Sequence, residues 1–156
     1  MRFRRLDITR YGAFCDRSLD FGGGDRDLHL VVGANEAGKS TMLSAIGDLL
    51  WGMGERPPYA FRFPYGELRL GGIVEHADAS LEFLRRKART ASLMTPDEAP
   101  LPDSSLAAYL GGLDRDGFDR MFGLNHDRLR AGGQAMLAGR EDVARVLFEA
   151  GTGLTG

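Results

Sequence analysis

The segment Gly33-Ala34-Asn35-Glu36-Ala37-Gly38-Lys39-Ser40-Thr41 decides the fold of this chain. It matches the pattern G-x-x-x-x-G-K-[S/T], which is specific when it follows a strand and opens a helix. Before it, Leu28-His29-Leu30-Val31-Val32 is a short apolar run typical of a buried central strand. After it, apolar residues recur at helical spacing from Lys39 up to Gly52. The order of strand, glycine loop and helix predicts an α/β fold built around this loop.

The loop has the chemistry to bind the triphosphate of a nucleotide. Its glycines let backbone N–H groups approach phosphate oxygens, and the helix N-terminus adds the positive end of its dipole. We expect Lys39 to reach the β- and γ-phosphates, Ser40 to ligate magnesium and Thr41 to bond the α-phosphate. The predicted cofactors are therefore ATP and Mg²⁺. The predicted nucleotide-binding residues are Gly33, Asn35, Glu36, Ala37, Gly38, Lys39, Ser40 and Thr41.

The composition is that of an ordinary globular protein. The chain has 156 residues, of which 43% are hydrophobic and 27% charged. It contains no apolar run of about 18 residues, and Met1 to Asp7 lack the long apolar stretch typical of a signal peptide. We therefore expect a cytoplasmic protein that does not contact a membrane. The net charge of -2 provides no overall attraction to nucleic acid. The single cysteine, Cys15, cannot form an internal disulfide and is expected to be a small buried hydrophobe.

Outside the loop, alternating apolar residues predict two antiparallel pairs of strands. A turn near Tyr11-Gly12 joins the first pair, and Gly71-Gly72 in the second pair is expected to mark a bulge. The four strands are predicted at 2–10, 17–21, 67–75 and 81–87. Helical spacing predicts further helices at 104–110, 115–122 and 141–150. The chain thus places strands first and helices later.

Three further motifs make a family resemblance specific. Leu6-Asp7-Ile8-Thr9-Arg10-Tyr11-Gly12-Ala13-Phe14 precedes the loop. Arg85-Arg86-Lys87 and Phe122-Gly123-Leu124-Asn125-His126-Asp127-Arg128-Leu129-Arg130 follow it. Together with the loop, they resemble the YhaN-like AAA ATPases, relatives of the SbcC and RecF proteins, over nearly the whole chain. The resemblance implies a P-loop NTPase with an ABC/SMC-type head. Such a head is split in sequence into an N-terminal lobe with the phosphate loop, a long coiled coil, and a C-terminal lobe with the Walker B acids and the signature motif.

By this resemblance, we expect the chain to be only the N-terminal lobe of such a head. Residues 1–156 are expected to form a single lobe made of three parts. These are the strands and loop helix at 1–52, a loop and β-hairpin at 53–95, and a mainly helical part at 96–156. Val146-Leu147-Phe148-Glu149 superficially resembles a Walker B strand, but its spacing fits a helix better. We therefore expect ATP hydrolysis to belong to a complete head and to be very weak or absent in this chain alone.

Two positions depart from the pattern of the family. The resemblance places His126 where relatives carry the Q-loop glutamine that contacts magnesium and the attacking water. His126 is thus a catalytic candidate, and the alternative of a helix-start or surface residue stays open. Gly12 stands where some relatives carry an arginine beside the nucleotide base.

A local basic patch gives the candidate DNA contacts. Its members are Arg85, Arg86, Lys87 and Arg89. The residues themselves are compatible with a solvated strand end, a DNA backbone or a nucleotide. The family resemblance favours DNA. It also implies a role in DNA repair or chromosome maintenance, dimerisation with a second head around ATP, and a nuclease partner.

Two other classes of function share the phosphate loop. One is a self-contained small-molecule kinase or other phosphotransferase, which needs its own acceptor pocket and catalytic carboxylate. The other is a nucleotide-gated binding module that never hydrolyses. Robust turnover by this chain alone favours the kinase, whereas a parent gene that continues into a coiled coil and a Walker B segment favours the split head.

Overall fold

The computed structural model describes residues 1–22, 28–123, 129–130 and 133–134. The chain divides into two compact units, Met1–Phe118 and Asp119–Gly156. The first unit contains the sheet, the glycine-rich loop and the first two helices. The single lobe expected over residues 1–156 stays a prediction.

Within the described residues, five strands form one antiparallel sheet in the order β2-β1-β3-β4-β5. The strands are β1 (Arg2–Tyr11), β2 (Phe14–Asp20), β3 (Arg69–His76), β4 (Ala79–Arg86) and β5 (Leu93–Met94). The alternation of residue types explains the two faces of this sheet. On β1, Leu6 and Ile8 are fully buried on one face, whereas Arg5 and Asp7 form an ion pair on the other. Both predicted hairpins are confirmed, and β5 was not predicted because two residues carry too little pattern.

Three helices lie within residues 28–123. They are α1 (Lys39–Trp51), α2 (Ser104–Leu110) and α3 (Arg115–Met121), with a short 3₁₀ helix at Tyr65–Glu67. The α1 helix begins directly after Gly38, as predicted, and Gly52 ends it by donating its N–H to Asp48 O at 2.9 Å. The α3 helix begins after Asp114, whose carboxylate accepts the N–H of Gly117 at 2.7 Å as an N-cap. The helix predicted at 141–150 lies outside the described residues.

The hydrophobic core lies between α1 and one face of the sheet. Leu6, Gly72 and Phe83 are neighbours across three strands. A Cβ at Gly72 would lie 3.0 Å from Leu49 Cδ2 of α1 and 2.9 Å from Arg5 O, so glycine permits the close approach of helix and sheet. Leu6, Leu49 and Phe83 are fully buried, and burial of such a side chain contributes about 1.5–3 kcal/mol. This packing fixes the axis of α1 on the sheet.

The predicted bulge at Gly71-Gly72 is wrong. The register between β3 and β4 is continuous through both glycines. The irregularities lie instead between β1 and β3, at Phe3/Arg5 and at Ile8/Arg10. The two glycines serve close packing, because a Cβ at Gly71 would lie 2.9 Å from Leu84 Cδ2.

The central strand predicted at 28–32 is also wrong. These residues have no strand structure, and the side chains of Leu28, Leu30 and Val32 are 91%, 80% and 80% exposed. A buried strand needs hydrogen-bonding neighbours, and the five described strands pair with one another instead. The mixed α/β class is therefore confirmed with an antiparallel sheet, but without the predicted strand before the loop. In the described parts of the chain, no helix has the length and hydrophobicity needed to cross a bilayer.

Candidate nucleotide-binding site

The glycine loop contains one hydrogen-bonded turn and a bend before α1 begins. Ala37 N–H donates to Ala34 O at 3.2 Å, and Glu36 between them has a positive φ of 66°. Gly38 follows with φ 95° and ψ 13°, and its carbonyl accepts the first helical hydrogen bond, from Met42 N–H at 2.9 Å. Glycine adopts this left-handed conformation without the Cβ penalty. The loop is thus closed by its own backbone directly at the helix N-terminus.

The side chain of Lys39 turns back into this loop. Its Nζ donates to Gly33 O and to Ala34 O, both at 2.7 Å. The two carbonyls at the start of the loop therefore hold the ammonium of Lys39 beside the loop backbone. A cation held at this point attracts an anion that approaches the loop.

The first turn of α1 presents N–H donors without competition from the protein. The first N–H groups of any helix have no intrahelical acceptor. No side chain caps the N-terminus of α1, and its first turn contains no acidic residue. The donors, the helix dipole and Lys39 together favour a phosphate at this end.

The hydroxyl at position 40 fits the proposed magnesium ligand. Ser40 is exposed and lies in the first turn of α1, one residue after Lys39. A hydroxyl oxygen is a ligand that Mg²⁺ accepts beside phosphate oxygens. Thr41 is only partly exposed, whereas Asn35, Glu36 and Ala37 are exposed on the loop. All eight predicted loop residues therefore lie in one continuous turn and helix start.

The hairpin of β1 and β2 packs against the glycine loop and the first turn of α1. A Cβ at Gly38 would overlap the ring of Phe14 on β2. A Cβ at Gly12, which has φ +60°, would lie 2.6 Å from Thr41 Cγ2. The Gly12 N–H also donates to Tyr59 O at 2.8 Å. A side chain at Gly12 would thus enter space that α1 occupies.

A buried polar network that the sequence did not reveal fixes the other end of α1. Tyr11 donates its hydroxyl to Asp48 Oδ2 at 2.7 Å, and Arg115 Nη1 donates to Asp48 Oδ1 at 2.8 Å. Asp48 is only 5% exposed, and Tyr11 is fully buried. Burial, followed by the charge of Asp48, raises the pKa of Tyr11 above its ordinary value. The network ties β1 and the start of α3 to the last turn of α1.

The interpretation of Arg85 as a DNA contact is wrong. Its side chain is 1% exposed, and its guanidinium faces α1. Nε donates to Leu49 O and Nη2 to Leu50 O, both at 3.0 Å. Nη1 donates to Asp103 Oδ1 at 2.6 Å and to Ser92 Oγ at 2.9 Å. Arg85 is therefore a structural residue that satisfies the C-terminal carbonyls of α1.

The other three basic candidates do not form one patch with Arg85. Arg86 lies on the opposite face of β4, and its Nε donates to Ala91 O at 3.3 Å. Lys87 Nζ donates to Met53 O at 3.5 Å, and Arg89 is exposed. A role for these three residues in DNA binding stays a prediction.

Three further predictions concern His126, residues 146–149 and Cys15. His126 and the segment 146–149 lie outside the described residues. Cys15 is exposed, so the expectation of a buried hydrophobe is wrong. Cys15 lies beside the turn on the edge strand β2, where little covers it. Its thiol donates to Asp16 Oδ2 at 3.2 Å, and this bond raises the pKa of Cys15 above its usual value.

Two comparisons with known proteins found similarities to this chain. A family model described as an AAA domain matches residues 1–156. "Uncharacterized protein YhaN" of Bacillus subtilis (strain 168) is 30% identical over 101 residues, which cover 61% of this chain and 10% of that protein. The chain therefore spans about a tenth of the length of this curated relative. Since the family model covers the whole chain, the protein belongs to the AAA domain family.

Proposed function

We propose that this chain binds Mg²⁺-ATP as the N-terminal lobe of a split ATPase head of the SMC, SbcC and RecF type. The observation that carries the proposal is the loop around Lys39 Nζ, which donates to Gly33 O and Ala34 O at 2.7 Å. The uncapped first turn of α1 continues directly from this loop. Backbone donors, an ammonium and an exposed serine hydroxyl thus lie together, as triphosphate and magnesium require.

The exposed apolar run at 28–32 supports a second lobe. It lies directly before the loop, and Leu28, Leu30 and Val32 are each at least 80% exposed. Apolar patches of this kind mark surfaces that another polypeptide covers. The curated relative is about ten times longer than the matched part of this chain. We propose that the C-terminal lobe of the same longer protein covers residues 28–32. This lobe would supply strands beside them.

The same second lobe would provide the missing catalytic acid. Hydrolysis needs a carboxylate near magnesium. Asp48 is the buried acid of the described residues, and its two oxygens already accept hydrogen bonds from Tyr11 and Arg115. It also follows Lys39 by nine residues, about 14 Å along a helix axis. Catalysis therefore belongs to the assembled head, in which His126 takes the Q-loop position.

The wider role is ATP-dependent dimerisation of two heads in DNA repair or chromosome maintenance. ATP between two heads would couple nucleotide occupancy to a DNA-binding surface and a partner nuclease. On this chain, Arg86, Lys87 and Arg89 remain the candidates for phosphate contacts. Their contribution would appear as binding that weakens with salt.

A comparison of ATPase rates tests this proposal. We expect this chain alone to hydrolyse ATP very slowly and the longer protein to hydrolyse it much faster. Val32→Asp in the longer protein should lower the rate, because a charge would face the second lobe. Tyr65→Asp is the matched control, since Tyr65 is 47% exposed and lies far from this run in sequence. Robust turnover by the chain alone would instead support a self-contained phosphotransferase.

A further inference from the structure

A second concavity lies at the end of α1 that is remote from the glycine loop. It has a volume of about 380 Å³, within the range of pockets that bind small organic molecules. Its lining includes Asp48, Trp51, Arg56, Pro57, Pro58 and Arg115. Asp48 lies about 14 Å from Lys39 along the axis of α1. The concavity is therefore a different site from the phosphate loop.

The negative groups at this end of α1 are already satisfied. Both oxygens of Asp48 accept hydrogen bonds, from Tyr11 and from Arg115. Arg85 binds the carbonyls of Leu49 and Leu50, which carry the negative end of the helix dipole. These groups thus offer little attraction to a cationic ligand.

A positive charge remains at the rim. Arg56 is exposed, and no described residue forms an ion pair or hydrogen bond with its side chain. A guanidinium presents parallel N–H donors that match a carboxylate. With Arg115 balanced by Asp48, the lining carries one excess positive charge.

Apolar side chains also line this concavity. The Trp51 indole is held in place, because its Nε1 donates to Leu113 O at 3.2 Å and its ring lies 5.0 Å from the ring of Phe118. Pro57, which is buried, and Pro58, which is exposed, also line the concavity. Such walls suit a planar, hydrophobic body.

We propose that this concavity binds a small organic monoanion with a planar apolar body, of the aromatic carboxylate class. The carboxylate pairs with Arg56, and the ring packs against Trp51 and the prolines. The single excess positive charge of the lining matches one negative charge on the ligand.

Titration with benzoate, followed by the fluorescence of Trp51, tests the proposal directly. Trp51 is the single tryptophan of the chain, so a saturable change in emission reports occupancy of this site. Benzamide has the same shape without the charge and should bind at least about tenfold more weakly. Arg56→Gln should weaken benzoate binding by a similar factor. Arg17→Gln, an exposed arginine on β2, should leave it unchanged.

Several outcomes would overturn the proposal. These are equal affinity for benzoate and benzamide, unchanged affinity in a folded Arg56→Gln variant, or no saturable change at millimolar benzoate. Displacement of benzoate by inorganic triphosphate would place the anion in the glycine loop and would also overturn it. Circular dichroism of each variant shows that the fold is retained.

Discussion

Arg85 on β4 donates from Nη2 to the carbonyl of Leu50 in the last turn of α1, at 3.0 Å. The Nε of the same guanidinium binds the neighbouring carbonyl of Leu49 at 3.0 Å. Helix ends leave such carbonyls without intrahelical partners. A strand of the sheet therefore caps the helix whose other end follows the glycine loop. Arg85 thus stabilises this helix without contacting the loop.

Arg85→Met is expected to lower the free energy of unfolding by about 2–4 kcal/mol, since buried carbonyls would lose charged donors. Urea denaturation of the purified chain measures this change. Arg86→Gln is the control on the opposite face of β4, and it should change stability by less than about 0.5 kcal/mol. Equal stability of the two variants would contradict the capping role.

The burial of Arg85 could have been predicted from the alternation of strand residues. The basic run at 85–89 instead led to the prediction of a surface patch. Residues two apart on a strand share a face, so Arg85 lies on the same face as Phe83, which is fully buried. The cluster of charges suggested a surface patch, although neighbouring residues of a strand point to opposite faces. Alternation therefore predicts the burial of Arg85 better than the local charge does.

The prediction of a strand at 28–32 was wrong for a different reason. Its apolar pattern is typical of a central strand, but strand formation depends on neighbours that the pattern does not encode. The glycine loop and α1 were predictable, because phosphate binding imposes a fixed order of glycines, lysine and hydroxyl. The Tyr11–Asp48–Arg115 network was not, since its members are far apart in sequence and each is common at protein surfaces.

Tyr11→Phe should alter the dependence of stability on pH. Below about pH 10, the ordinary pKa of tyrosine, the variant should be less stable by about 1–3 kcal/mol because Asp48 loses a donor. The raised pKa of Tyr11 means that the folded state keeps the proton which the unfolded state releases. Wild-type stability therefore falls as pH rises above about 10, and the gap between wild type and variant should narrow.

Chemical denaturation at a series of pH values measures the difference in stability between wild type and Tyr11→Phe. Tyr65→Phe is the control, because Tyr65 is 47% exposed, and its gap to wild type should stay constant. A Tyr11→Phe gap that is the same at every pH would argue against a buried neutral phenol beside Asp48.

Gly12→Ala should destabilise the protein, because the new Cβ would lie 2.6 Å from Thr41 Cγ2 and Gly12 has φ +60°. We expect a loss of about 1–3 kcal/mol. Thr41→Ser removes the clashing methyl and keeps the hydroxyl, so adding it to Gly12→Ala should restore part of this loss. Gly54→Ala is the control, since nothing lies within 4 Å of its added Cβ. Strict additivity of the two substitutions would rule out the contact.

Calorimetric titration with a non-hydrolysable ATP analogue and magnesium tests the central claim most directly. The chain has only two lysines, Lys39 and Lys87, so each can be replaced by alanine as the control for the other. We predict that wild type and Lys87→Ala bind the analogue with equal affinity. Lys39→Ala should lose at least about a hundredfold in affinity while keeping its fold. Unchanged affinity in Lys39→Ala would contradict the assignment of Gly33–Thr41 as the phosphate loop.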